Sequence, residues 1–335
     1  MPSSAVRTFS DPDDYAAAIR ATKAEVVVTG RGQFTAKLIR IDLHRLWMQR
    51  YSDNLPRVAH SAPMTGRAII SFRTRPGPSL LSGGVEMHPT KIMRAAEGGS
   101  NFQRSYGLAD SGSMSLPVED MASLGATMAG CDLTPLKDQL TVTPAPHAMA
   151  SLQRMHAAAG RLAENAPEII AHPEVARGLE QALIEALVGC LVEGTADEDR
   201  LAQHHHSLIM RRFRKVVEES PEQPLYIPEI CKAIRVPTRT LRIACQEHLG
   251  MGPKRYLLLR RMHLVRQALR EATPGTTSVT EIATRYGFWE LGRFAGEYEA
   301  LFGEPPSATL RLLLPKMNSP PRGRTPGVEA QENSA

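Results

Sequence analysis

Hydrophobic and polar positions change their period along the chain. In the first 150 residues the apolar positions form short runs rich in β-branched and aromatic side chains: residues 25–29 (EVVVT), 34–42 (FTAKLIRID), 46–52 (LWMQRYS) and 67–72 (RAIISF). Such side chains suit a pleated, half-buried surface, and the Gly, Pro, Asn and Asp clusters between the runs mark turns. Several short strands of this kind predict a barrel or a sandwich. From Met149 the period lengthens. SLQRMHAAAGRLAEN and PEVARGLEQALIEALVGCLV carry apolar residues at helical spacing, with Val175, Leu179, Leu183, Leu187 and Leu191 recurring every fourth residue. Pro173 suits the first turn of the second helix. The stripe has two possible fates, packing on the β domain or pairing with a second copy in a homodimer.

Residues 193–206 (EGTADEDRLAQHHH) are polar and read as a linker between a front domain, 1–192, and a rear domain, 207–315. Residues 316–335 carry almost no bulky apolar side chain, which predicts a disordered tail. His204, His205 and His206 are consecutive, so a helix cannot aim all three at one ion, and no Cys or carboxylate pattern completes a site. No metal and no cofactor are expected.

With 335 residues, 42% hydrophobic and 22% charged, the chain has a globular composition with room for two domains. No run of 18 uncharged apolar residues exists to span a bilayer, and the first residues lack a secretory pattern, so no membrane partner and a cytoplasmic location are expected. Cys131, Cys190, Cys231 and Cys245 show no CxxC spacing, which predicts reduced, buried thiols. The charge is uneven. Residues 207–315 hold 17 basic against 11 acidic residues, whereas residues 1–206 hold 20 against 22. A basic module joined to a near-neutral one fits a separate nucleic-acid-binding unit.

The rear domain contains an internal repeat. Glu229 and Ile230 match Glu281 and Ile282 at an offset of 52, and Leu241, Leu249, Gly250 and Pro253 match Phe294, Phe302, Gly303 and Pro306 at 53. One extra residue in the second turn reconciles the offsets. Each copy reads as a short helix, a tight turn, a second helix and a Gly-x-x-Pro exit, the plan of a helix-turn-helix DNA reader. At 100° per residue, Leu241, Ala244, Cys245 and His248 fall on one side of the first reading helix. Arg239, Arg242, Ile243 and Gln246 fall on the other, with Thr240 between them and Lys254 beyond the exit. Arg pairs with guanine and Gln with adenine, so this outer face suits a major groove. In the second unit, residues 289–302 bury Phe294, Tyr298 and Leu301 and turn Gly292, Gly296 and Glu299 outward, flanked by Trp289, Glu290 and Arg293. Between the copies, residues 253–270 read as one helix of about 27 Å, which suits holding two reading helices near the roughly 34 Å spacing of successive groove turns.

On these residues, 208–313 resemble the DNA-binding domain of the AraC/XylS family of bacterial transcription regulators. TRTLRIACQEHLGMGPKRYL carries the likeness in the first unit. The second carries the landmarks Ile-Ala-x-x-x-Gly-Phe and Phe-Gly-x-x-Pro as Ile282, Ala283, Gly287, Phe288, Phe302, Gly303 and Pro306. Three positions depart from the family pattern: Arg235 stands where Gly is usual, Ile243 where Arg is common, and Pro237 where a capping hydroxyl is usual. The resemblance implies an α+β chain, with a β-rich, barrel-like effector and dimerisation domain and its following helices ahead of an all-α double helix-turn-helix domain. It also implies double-stranded DNA, RNA polymerase and a small-molecule effector as partners, and an activator role.

Ligand-independent regulation is the alternative, followed by a cupin-like or DNA-repair enzyme fused to a DNA reader. His60, Glu86 and His88 do not form a cupin metal pattern, GRGQ at Gly30 is a turn, and the front domain's two cysteines cannot make a zinc-held cluster. No catalytic residue is expected.

Overall fold

The computed structural model describes residues 1–311 except 97, 131, 135–137, 197–200, 221, 223, 274 and 275; the tail expected at 316–335 and Cys131 lie outside the described residues. The strands are β1 (Ser3–Phe9), β2 (Thr22–Val28), β3 (Ala36–Asp42), β4 (Trp47–Asp53), β5 (Arg57–Pro63), β6 (Arg67–Arg73), β7 (Leu80–Ser82), β8 (Val85–Glu86), β9 (Ile92–Arg94), β10 (Asn101–Ser105), β11 (Ala109–Pro117), β12 (Leu140–Thr143) and β13 (Thr195–Ala196). The helices are α1 (Pro12–Ala18), α2 (Val118–Leu124), α3 (Pro146–Asn165), α4 (Pro167–Ala171), α5 (Pro173–Val192), α6 (Leu201–Glu219), α7 (Ile227–Ile234), α8 (Thr238–Leu249), α9 (Pro253–Glu271), α10 (Val279–Arg285), α11 (Leu291–Phe302) and α12 (Pro306–Arg311).

An eight-stranded sheet, ordered β1-β3-β4-β11-β6-β9-β12-β13, faces a five-stranded sheet, ordered β2-β5-β10-β7-β8. Both sheets are open, so of the two expected architectures the front domain adopts the sandwich and not a closed barrel. The four apolar runs become β2, β3, β4 and β6 with small shifts at their ends. Alternation sorts their side chains by layer. Val26, Val28, Phe34 and Leu38 pack with Tyr15 between the sheets. Ile39, Ile41, Met48, Ile70 and Met114 point away from that layer and meet α3 and α5. Val27, Val58 and Phe102 leave the opposite side of the five-stranded sheet and join the core of the rear helical domain.

This layering decides the fate of the leucine stripe. Leu183 and Leu187 are fully buried, Leu191 is 8% exposed, and all three belong to the core that α3 and α5 share with the eight-stranded sheet. Leu179 is half-buried against the same core, and Val175, at 39%, is the exposed member. The expected homodimer contact through the whole stripe is therefore corrected: its apolar area is already spent on the sheet.

The expected linker is likewise in part ordered structure. Thr195 and Ala196 pair with Thr143 and Val142, and α6 begins at Leu201. That helix enters the rear core through Ile209, Met210, Phe213 and Val217. His206, within the expected linker, meets Glu247 Oε2 at 2.5 Å through Nδ1. Cys190, Cys231 and Cys245 are buried free thiols, and burial pushes Cys190 and Cys245 up to about 12. Thiols so protonated are inert as nucleophiles.

Candidate nucleic-acid interface

Local chemistry builds the two helix-turn-helix units in parallel. At the start of α7 the Glu229 carboxylate accepts from the Tyr226 backbone N–H at 3.3 Å; at the start of α10, Glu281 accepts from the Ser278 N–H at 2.7 Å while the Ser278 hydroxyl accepts from the Glu281 N–H at 3.1 Å. These caps satisfy backbone donors that a helix start leaves open. The turns also correspond: Arg235 has φ 55° and Gly287 φ 77°, so the Arg in the first turn does hold the left-handed conformation that Gly adopts in the second. Such a conformation costs an L-residue about 1–2 kcal/mol. Pro237 offers α8 no side-chain cap. The reading helices α8 and α11 each span 12 residues and end on Gly250 (φ 69°) and Gly303 (φ 76°).

On α8 the calculated faces hold. Leu241, Ala244, Cys245, His248 and Leu249 are buried, and Arg239, Arg242, Ile243 and Gln246 are exposed, with Thr240 half-buried beside them. Burial lowers His248 to about 4, so it sits neutral on the inner side. Arg242, Ile243, Gln246 and exposed Lys254 converge on one open groove of about 400 Å3, closed by Ile227, Gly252 and Pro253. The last three are groove residues that pattern reading missed. The Gly-x-x-Pro exit was the signal for Gly252 and Pro253, because it turns the start of α9 back toward the reading helix; Ile227, at the start of α7, carried none. A groove with two cations, one amide and a helix N-terminus presents donors to a phosphate-and-base surface.

The second unit differs. The helix begins at Leu291 rather than at Trp289, leaving Trp289 (74% exposed) and Glu290 just before it. Phe294, Tyr298 and Leu301 are buried, and Gly292, Arg293, Gly296 and Glu299 are exposed, as expected. Arg293 is not a free donor: its Nε gives to Glu297 at 2.9 Å and its Nη1 lies 3.8 Å from Glu290. A Cβ built on Gly292 or Gly296 would touch nothing within 4 Å among the described residues, so no packing there requires either glycine. We expect Gly296→Gln to weaken binding to all DNA sequences alike, because the bare surface admits close approach of the backbone. Anisotropy titrations on several duplexes check this, and an unchanged affinity makes the glycine merely tolerated.

The sandwich packs against the rear domain through β2, β10 and α1. Glu25 on β2 accepts from Arg214 Nη2 at 2.6 Å and from Arg260 Nε at 2.8 Å. Burial works to raise the Glu25 carboxyl, but the hydrogen bond from Arg214 and the charges of both arginines outweigh it and hold the group at about 2. Asp11, the N-cap of α1, pairs with Arg266 and with Arg270 Nη1 at 2.5 Å; Asp14 takes Arg270 Nη2 at 2.8 Å. Phe102 meets Tyr256 edge-on with ring centroids 5.9 Å apart. Arg104 lies so near Gly250 that a Cβ there would sit 1.9 Å from its Nη1. Among the described residues no cluster of three or more potential metal ligands occurs, and no helix is long and apolar enough to cross a membrane.

Two helix-turn-helix units joined by α9 define the rear domain as a double DNA-reading module. Residues 230–312 match the family model described as a helix-turn-helix domain. The chain is 37% identical over 153 residues to the probable thc operon regulatory protein of Rhodococcus erythropolis, a stretch covering 44% of this chain and 45% of that protein. It is 35% identical over 101 residues to XylDLEGF operon transcriptional activator 2 of Pseudomonas putida, covering 30% of this chain and 64% of that one. The matches thus span less than two thirds of either relative. The crystal structure of the AraC-like transcriptional activator CuxR aligns with 80% of this chain and 97% of its own at 13% identity and a TM-score of 0.40. The part of the rear domain matched by the family model, residues 230–312, is thus similar to a helix-turn-helix domain.

Proposed function

We propose that this chain is a sequence-specific transcription regulator, an activator, that binds double-stranded DNA through two successive major-groove segments and works with RNA polymerase. The observation that carries this reading is the groove of Arg242, Ile243, Gln246 and Lys254 on a reading helix whose inner side is wholly spent on the core. The α9 helix, 19 residues or about 28 Å long, sets the second unit near one groove turn away. The first unit supplies most of the base discrimination, because the second presents glycines and an arginine already paired. The sandwich serves as the effector-responsive part.

DNA binding by the full chain is expected to fall steeply with salt, since displaced counterions accompany each neutralised phosphate. Four such contacts reduce affinity about a hundredfold between 50 and 200 mM salt. Anisotropy with a duplex recovered from DNA that co-purifies with the protein tests this. An affinity independent of salt overturns the reading.

A further inference from the structure

Two exposed aromatic side chains of the rear domain belong to segments that touch each other. Tyr226 is 65% exposed at the start of α7, and Trp289 is 74% exposed ahead of α11. A Cβ on Gly287, in the turn before Trp289, would stand 2.9 Å from Pro224 Cγ and 3.1 Å from Arg261 Nη1. The same Nη1 donates to the Tyr286 carbonyl at 3.3 Å, and the Arg261 guanidinium lies 5.1 Å from the centre of the Phe288 ring. The lead-in to the first unit is thus laid on the turn of the second. Anchoring fixes the outward direction of both aromatics: Leu225 and Ile227 pack on the rear core on either side of Tyr226, and Phe288 is buried just before Trp289. Large aromatic surfaces gain more from burial than from water, so a Tyr and a Trp held outward on one ordered seam point to a partner that covers them.

Continuity with the reading helices identifies that partner. Ile227, beside Tyr226, lines the groove of Arg242, Gln246 and Lys254, and Leu291 and Gly292, beyond Trp289, begin the outward side of α11. A duplex lying on both reading helices crosses the seam between them, where it presents sugar and phosphate rather than major-groove base edges. The nearby carboxylates are already engaged: Glu229 accepts from the Tyr226 backbone N–H at 3.3 Å, and Glu290 lies 3.8 Å from Arg293 Nη1. We infer that Tyr226 and Trp289 form an uncharged clamp on the DNA backbone between the two major-groove segments, the Tyr226 hydroxyl and the Trp289 indole N–H donating to phosphate oxygens and the Trp289 ring packing on deoxyribose. This rests on the reading of the chain as a DNA-binding regulator.

Such a clamp has a distinct signature. It carries no positive charge, so it displaces no counterion, and it touches no base edge, so it selects no sequence. Its loss lowers affinity while leaving the salt slope and the base preference as they were, unlike the loss of Arg242 or Lys254.

Anisotropy titrations of the full chain on duplexes recovered from co-purifying DNA test the clamp. Tyr226→Phe, which removes only the hydroxyl, is expected to bind about fivefold more weakly on every duplex, and Trp289→Ala at least about tenfold. Both side chains are exposed, so circular dichroism and urea unfolding of the variants are expected to match wild type. Acrylamide quenching reads the contact directly. The chain has two tryptophans, and Trp47 is half-buried with its ring faced by Arg20 and Arg67. Duplex is expected to shield the exposed Trp289 from acrylamide, and Trp289→Phe is expected to show no shielding. Wild-type affinity in either variant, a loss confined to particular sequences, a changed salt slope, or a Trp289 quenched equally with and without bound duplex overturns the clamp and leaves the regulator reading standing. Absence of duplex binding by wild type rejects the regulator reading and the clamp with it.

Discussion

Replacing Glu25 by Ala is expected to lower stability at neutral pH by about 3 kcal/mol, the free-energy equivalent of holding its carboxyl at about 2 instead of the ordinary 4.5. Among the described residues Arg260 has Glu25 as its carboxylate partner and otherwise only the Val217 carbonyl at 3.3 Å, so the change strands a guanidinium that is nearly buried. Breaking such a pair from one side costs more than the pair is worth against apolar replacements. The pH dependence has a definite sign. The folded state depresses the Glu25 carboxyl, so its contribution is complete above the unfolded value of about 4.5 and is lost as pH falls toward 2. Wild-type stability therefore contains a component that declines across that window, and Glu25→Ala lacks it. Urea unfolding of wild type, Glu25→Ala, Arg260→Ala and the double variant, followed between pH 7 and pH 3, measures both effects. Strict additivity of the two single substitutions would mean that the 2.8 Å contact carries no coupling between the domains.

That contact was not legible in the sequence, and the reason is physical. Period and composition report which side chains are buried, whereas Glu25 is one carboxylate beside the three valines of β2 and its partners lie 189 and 235 residues away. By contrast, the strands near residues 25–72 and the two faces of α8 followed from local pattern alone, because alternation and the 3.6-residue turn are properties of neighbouring residues. The start of α6 was hidden for a related reason: its apolar stripe begins only at Ile209 and Met210, so the preceding Ala, Gln and His residues resembled a connection. The stripe on α5 was visible, but periodicity cannot say whether a helix buries its apolar side on its own chain or on a copy, and here the eight-stranded sheet takes it. The pairing of Arg293 was within reach, since Glu290 and Glu297 stand at i−3 and i+4 on the same helical surface. Reading that spacing would have removed Arg293 from the free donors.

Arg239→Ala and Arg242→Ala are expected to change which bases are preferred under the first unit, each costing about 1–3 kcal/mol at its cognate base pair. Both side chains are exposed on α8, and among the described residues neither enters a salt bridge, unlike Arg293. Arg242 has the stronger claim to a base edge because it shares the groove with Ile243 and Gln246, whereas Arg239 lies a turn earlier near the helix start. Ile243 adds a test of register: exposed at 47%, it can contact a thymine methyl beside the base that Arg242 reads. Selection from a randomised duplex pool, carried out with wild type and each variant, reports the preference position by position. For Arg242→Ala the loss should fall on one or two adjacent positions and leave affinity for the remaining sequences nearly unchanged. A uniform fall across all sequences, accompanied by a salt slope reduced by about one, would assign the arginine to a phosphate and leave Gln246 and Ile243 as the base readers of the first unit.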